Sequence, residues 1–125
     1  MLDHIGIEVG DYQKAIQFYK RALAPLGYKL LMEVEGFAGF GLELPDGPLA
    51  SFWLQQGDVT TRKAHIAFTA STRNDVDKFY AAAIQAGGKD NGKPGTREIY
   101  HPNYYGAFVL DPDGHNIEAV CHKKK

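Results

Sequence analysis

The chain carries its first half a second time. Shifted by 61 residues against itself, the sequence aligns His4 with His65, Ile5 with Ile66, Phe18 with Phe79, Tyr19 with Tyr80, Ala22 with Ala83 and Gly27 with Gly88, six identities in 24 ungapped pairs. Ordinary composition would give about one or two. Such a duplication narrows the fold sharply, because whatever one half builds, the other must build as well.

Each copy opens on a short alternating apolar run behind a histidine, Ile5-Gly6-Ile7-Glu8-Val9 after His4 and Ile66-Ala67-Phe68-Thr69-Ala70 after His65. That pattern predicts a strand covered on one face. A helix should follow in each half, capped by Asp11 in the first and by Thr72 with Asp75 in the second. Ala15, Phe18, Tyr19, Ala22 and Leu26 form one apolar stripe, and Val76, Phe79, Tyr80, Ala83 and Ile84 form the other. The shared Phe-Tyr pairs sit at core spacing. Gly27 and Gly87-Gly88 end the helices.

Three further strand-like runs complete each copy: Lys29 to Val34, Gly39 to Leu44 and Ala50 to Gln55, then Arg97 to Tyr100, Gly106 to Leu110 and Ile117 to His122. The last two of each set are joined by turns, Leu44-Pro45-Asp46-Gly47 and Asp111-Pro112-Asp113-Gly114, in which Pro presets φ and Gly accepts positive φ. The expected fold is therefore α+β, one domain over 1–125. It consists of two βαβββ modules, about 1–61 and about 62–125, in a curved, mostly antiparallel sheet with the helices outside. The opposite sheet faces should line a shared cavity.

Strand parity then selects residues. With Ile5, Ile7 and Val9 against the helix, His4, Gly6 and Glu8 face the cavity; likewise His65, Ala67 and Thr69, and on the last strand Asn116, Glu118 and Val120. His4, His65 and Glu118 thus offer two imidazoles and one carboxylate to a single divalent metal ion, whether zinc, nickel, iron(II), manganese or cobalt, and leave positions open for substrate. A lone histidine at a strand start is more often structural; the repeat makes ligation the better reading.

Composition excludes other classes. Lys plus Arg (14) nearly balances Asp plus Glu (15), net −1, so nucleic acid is not an expected partner. The terminal run Lys123, Lys124 and Lys125 reads as solvated chain. A single cysteine, Cys121, allows no internal disulfide, and no leader-like or ~20-residue apolar segment is visible. The expectation is a cytoplasmic protein with no membrane partner.

These features resemble the vicinal oxygen chelate superfamily of glyoxalase I, bleomycin-resistance proteins, fosfomycin-resistance enzymes and extradiol dioxygenases. The resemblance rests on His4-Ile5-Gly6-Ile7 with the Phe18-Tyr19 helix, on His65-Ile66-Ala67-Phe68, and most specifically on Gly106 to Glu118 (GAFVLDPDGHNIE). It implies ligands on the first strand of each module and on the last strand, the positions of His4, His65 and Glu118. It also implies chelation of two adjacent substrate oxygens, a homodimer, and a small-molecule substrate. One departure stands out. The fourth carboxylate of glyoxalase I falls by repeat symmetry on Ser51 or Trp53, with Gln55 next, and none is a carboxylate; Glu43 or a water would have to substitute.

The favoured expectation is a lactoylglutathione-lyase-like lyase or isomerase, with Glu118 moving a proton and His101 and Tyr105, from the cluster His101-Pro102-Asn103-Tyr104-Tyr105, as further catalytic candidates. The alternatives are an extradiol-dioxygenase-like iron(II) protein and a non-enzymatic binding protein of the bleomycin-resistance type. Glu8 is a candidate to orient a ligand, Trp53 to wall the pocket, and Arg97, Lys93 and Arg62 to recognise an anionic substrate. His115 and His122 read as surface residues.

Overall fold

The computed structural model describes residues 2–58 and 63–124; Arg62 and Lys125 lie outside them. The elements run β1 (Ile5–Val9), α1 (Tyr12–Ala22), a 3-10 turn (Ala24–Leu26), β2 (Lys29–Val34), β3 (Phe37–Leu44) and β4 (Gly47–Gln56). The second set is β5 (His65–Thr69), α2 (Arg73–Gln85), β6 (Lys89–Thr96), β7 (Tyr105–Leu110) and β8 (Asn116–Cys121). Both modules are βαβββ, as the repeat requires. They form two mixed four-stranded sheets, ordered β1-β4-β3-β2 and β5-β8-β7-β6, that do not close into one. β1 runs parallel to β4 and β5 to β8; the other pairs are antiparallel.

The helix starts follow from their caps. Asp11 accepts a hydrogen bond from the Lys14 N–H at 3.1 Å and Thr72 Oγ1 one from Asp75 N–H at 3.0 Å, each satisfying a first-turn donor that has no helical partner. The two apolar stripes then turn inward. Ala15, Phe18, Tyr19 and Ala22 from α1 and Val76, Phe79 and Ala83 from α2 are buried in one core shared by both modules. The helices pack on each other, and Phe52 of β4 meets Phe68 of β5 edge-on at 5.2 Å.

The expected strand at Arg97 to Tyr100 is a turn instead, with Ile99 87% exposed. The strand lies earlier, over Lys89–Thr96, and its Lys-Asp-Asn-Gly-Lys-Pro-Gly-Thr sequence lacks any alternation. It survives because it is an edge strand: the ladder to β7 skips register on both sides of Gly92, and Pro94 needs no donor toward solvent.

The turn Asp111 to His115 ties the modules together. Asp111 is buried, accepting from the Asp113 and His115 N–H groups at 2.9 and 2.8 Å and from the Tyr19 hydroxyl of α1 at 2.5 Å. Asp113 Oδ1 accepts from Gly10 N–H at 3.0 Å. His115, expected at the surface, is only 3% exposed. Its Nδ1 accepts from Ala64 N–H and its Nε2–H donates to the Glu8 carbonyl, both at 2.9 Å. The turn looked solvent-facing because its partners are remote in sequence, Tyr19, Gly10 and Glu8 in the first module and Ala64 at the start of the second.

Burial first, and then the Asp111 carboxylate, hold the Tyr19 hydroxyl well above the ordinary tyrosine value of 10.0. The folded chain therefore keeps this proton more tightly than the unfolded one. Its contribution to stability is complete below about pH 10 and is lost as pH rises beyond. Urea midpoints are expected to stay level between about pH 7 and 9 and to decline above about 10, with a shallower decline in Tyr19→Phe.

Candidate metal centre

Parity correctly assigned the faces. On β1 the helix side holds Ile7 and Val9 while Gly6 and Glu8 are exposed; on β5 Phe68 is buried while His65, Ala67 and Thr69 are exposed. The ladder β5–β8 sets Ala67 beside Glu118, and β7–β8 sets Phe108 on its other side. Glu118 is 1% exposed. A carboxylate that deep needs partners, and it has two: His65 Nε2 stands 3.0 Å from Oε1, and the Tyr104 hydroxyl donates to Oε2.

The two side chains, in direct contact here, supply two of the donors that a divalent metal ion needs. Ligand atoms bound at about 2.1 Å and at right angles to each other stand about 3 Å apart, which is the separation of His65 Nε2 and Glu118 Oε1. The Tyr104 bond occupies Oε2 and fixes the carboxylate plane, as outer-shell partners of ligands do, so that Oε1 is the oxygen turned toward His65. Burial and the neighbouring carboxylate raise the pKa of the Tyr104 hydroxyl, so it remains a donor. Phe108, Tyr100 and Tyr104 complete a concavity of about 250 Å³ around the pair. Arg97 lies 5.6 Å over the Phe108 ring, with Nη2–H donating to the Lys93 carbonyl at 2.7 Å. One of the expected cations therefore stands beside the site; Arg62 falls outside the described residues.

His4 is not part of this cluster. It lines a different concavity, on the face of β1 and β4, with Asp3, Gly6, Phe37, Ala50, Trp53 and Gln55. It also borders a cleft containing Ile66 to Thr69 but neither His65 nor Glu118. Its Nδ1 is 2.6 Å from Asp3 Oδ1. Among the described residues no three metal-binding side chains come together within one chain.

The other candidates separate as well. Tyr105 is not at the site: its hydroxyl donates to Asp77 at 2.7 Å and its ring stacks under Arg73. Parity explains this, since Phe108 faces Glu118 and residues 106 and 104 share its face, sending 105 to the helix side. Tyr104 is the residue the register singles out, and the pairing with Glu118 was the signal that would have found it. His101 is exposed, its Nδ1 accepting from Asn103 N–H and its ring 5.4 Å from His122, which in turn packs on Tyr104. Glu8 lies against Gly57. Glu43 pairs with Lys29 at 3.9 Å on the surface and is not among the residues lining either concavity.

The register also resolves the fourth position. Trp53 stands between Gly6 and Gly39, just as Glu118 stands between Ala67 and Phe108. Trp53, not Ser51, is the symmetry mate of Glu118.

Comparison with known proteins agrees with the fold. A family model for the glyoxalase/bleomycin resistance protein/dioxygenase superfamily matches residues 1–119. The lactoylglutathione lyase of Escherichia coli O157:H7 is 30% identical, covering 96% of this chain and 91% of its own. The metallothiol transferase FosB of Shouchella clausii is 28% identical over 94% of this chain and 77% of its own. The chain spans 43% of the length of a Brassica oleracea relative named for the same lyase. A crystal structure of a glyoxalase/bleomycin resistance protein from Albidiferax ferrireducens superposes with a TM-score of 0.79 at 26% identity, covering 97% and 98% of the two chains.

Proposed function

The chain belongs to the glyoxalase/bleomycin resistance protein/dioxygenase superfamily, and on that premise we propose that it is a divalent-metal-dependent lyase or isomerase of the lactoylglutathione lyase kind. Its substrate is a small molecule with two adjacent oxygens. The observation that carries this reading is the pair His65 and Glu118, 3.0 Å apart with Tyr104 holding the second carboxylate oxygen.

The third ligand is His4 of a second copy. Four strands form sheet edges. β2 and β6 are interrupted by register shifts, whereas β1 and β5 run five residues each with neither shift nor proline. Bare edges of that kind call for a partner. They are also the edges that carry His4 and His65. A two-fold dimer that lays β1 of one copy near β5 of the other brings His4 toward His65 and Glu118, and does so twice.

When bound, the metal supplies Lewis acidity to the two substrate oxygens and so lowers the cost of charge developing there. Glu118 would move the proton between neighbouring carbons through the oxygen facing His65 only while that oxygen is not ligating, with Tyr104 holding the other oxygen in place. Phe108, with Arg97 above it, excludes water from one side. Trp53 in place of a fourth carboxylate favours a three-ligand site, and this gives the second reading, an extradiol-dioxygenase-like iron(II) protein.

Metal analysis of the purified protein beside His65→Ala, with α-oxoaldehyde hemithioacetals and catechols as substrates, tests the assignment. Wild type should retain about one metal ion per chain and the variant should lose it at least 100-fold more readily. Equal metal content in both would defeat the reading, and turnover of catechols alone would select the iron(II) alternative.

A further inference from the structure

Position 53 is a ligand position by symmetry, yet it holds an indole. The way that indole is held limits what it can offer. A Cβ at Gly39 would stand 2.7 to 2.9 Å from Trp53 Cη2, Cζ2 and Cζ3, so the six-membered ring lies directly on the glycine backbone of β3. Its Nε1–H donates to the Ala50 carbonyl at 3.1 Å. With its one polar group spent on the protein, Trp53 presents only aromatic surface to the concavity. That space is about 450 Å³ and contains His4 at one side and Phe37, 40% exposed, at another. The carboxylate beside it, Asp3, is engaged at one oxygen by the His4 ring, and what Trp53 and Phe37 themselves offer a ligand is apolar ring surface.

We infer that Trp53 and Phe37 form a subsite for an aromatic ring attached to the substrate's two chelating oxygens, and that the chain prefers aryl over small alkyl substrates. The inference rests on the metal assignment above, because His4, lining the same concavity, sets where the chelated oxygens sit relative to the ring. Replacing a potential ligand with an indole exchanges a fourth bond to the metal for stacking area.

The test uses the zinc-loaded full chain and two chelators with the same oxygen pair, acetohydroxamate and benzohydroxamate, which differ by methyl against phenyl. Trp53 is the single tryptophan, so intrinsic emission reports on it alone. Benzohydroxamate should bind roughly tenfold more tightly, the scale of one ring desolvated against an indole, and should shift or quench Trp53 emission at saturation while acetohydroxamate does not. Trp53→Leu should erase the preference with zinc content unchanged; should that variant fail to fold, the two wild-type titrations decide. Equal affinities with unchanged emission would overturn the subsite and leave the metal site standing. A protein that takes up no zinc and binds neither hydroxamate would overturn both.

Discussion

A mixture of two inactive variants is expected to regain metal binding and turnover. In His4→Ala and in His65→Ala every composite site lacks one imidazole, so each variant alone should fall by about 100-fold or more in metal affinity. Unfolded together and refolded, or coexpressed, half of the dimers are mixed, and in each of these one site collects both missing histidines while the other collects both intact ones. Roughly a quarter of wild-type sites should reappear by random pairing. A mixture as empty as its components would place each site within a single chain. The separation of His4 from the His65–Glu118 pair makes this the most decisive measurement, because no three ligating side chains gather among the described residues of one copy.

The second large effect concerns stability. Asp111 accepts from two turn N–H groups and from the buried Tyr19 hydroxyl of the other module. Asp111→Ala would strand all three donors, of which the Tyr19 hydroxyl and the His115 N–H are buried and the Asp113 N–H is part-buried. The expected loss is about 3 kcal/mol, read as a drop of roughly 10 °C in melting temperature. Tyr19→Phe should cost less, since Asp111 retains the turn donors. If Asp111→Ala melts with the wild type, the turn does not join the modules. The Asp-Pro-Asp-Gly-His segment, which read as a hairpin signature, is thus also the clasp between the halves.

Much of the molecule was legible because local periodicity governs it. The run Lys29 to Val34 became β2 with the same ends, and both helix caps form where Asp11 and Thr72 announced them. Parity put Glu118 on one face with His65 and His4; the β5–β8 ladder brings it to His65, while His4 lies in another concavity. It failed where a single-residue offset mattered: Tyr104 and Tyr105 are adjacent, and only the pairing of Phe108 with Glu118 tells which one faces the site. Lys89–Thr96 was invisible because an edge strand with bulges need not alternate. His115 was misjudged because its hydrogen-bond partners, Glu8 and Ala64, lie more than fifty residues earlier. Parity also says which face of a sheet a residue occupies, but not whether the faces of two sheets meet. The duplication implied one cavity, while the chain holds His4 in one concavity and His65 with Glu118 in another.

The bare flanks of β1 and β5 carry a cost outside catalysis. Among the described residues a single chain displays a pair of short, regular strands with open hydrogen-bonding rims, the kind of template on which extended chains stack into insoluble aggregates. The proposed dimer would therefore have a second role: low chain concentration would leave the molecule in its most adhesive form, and pairing would cover these edges together with His4 and His65.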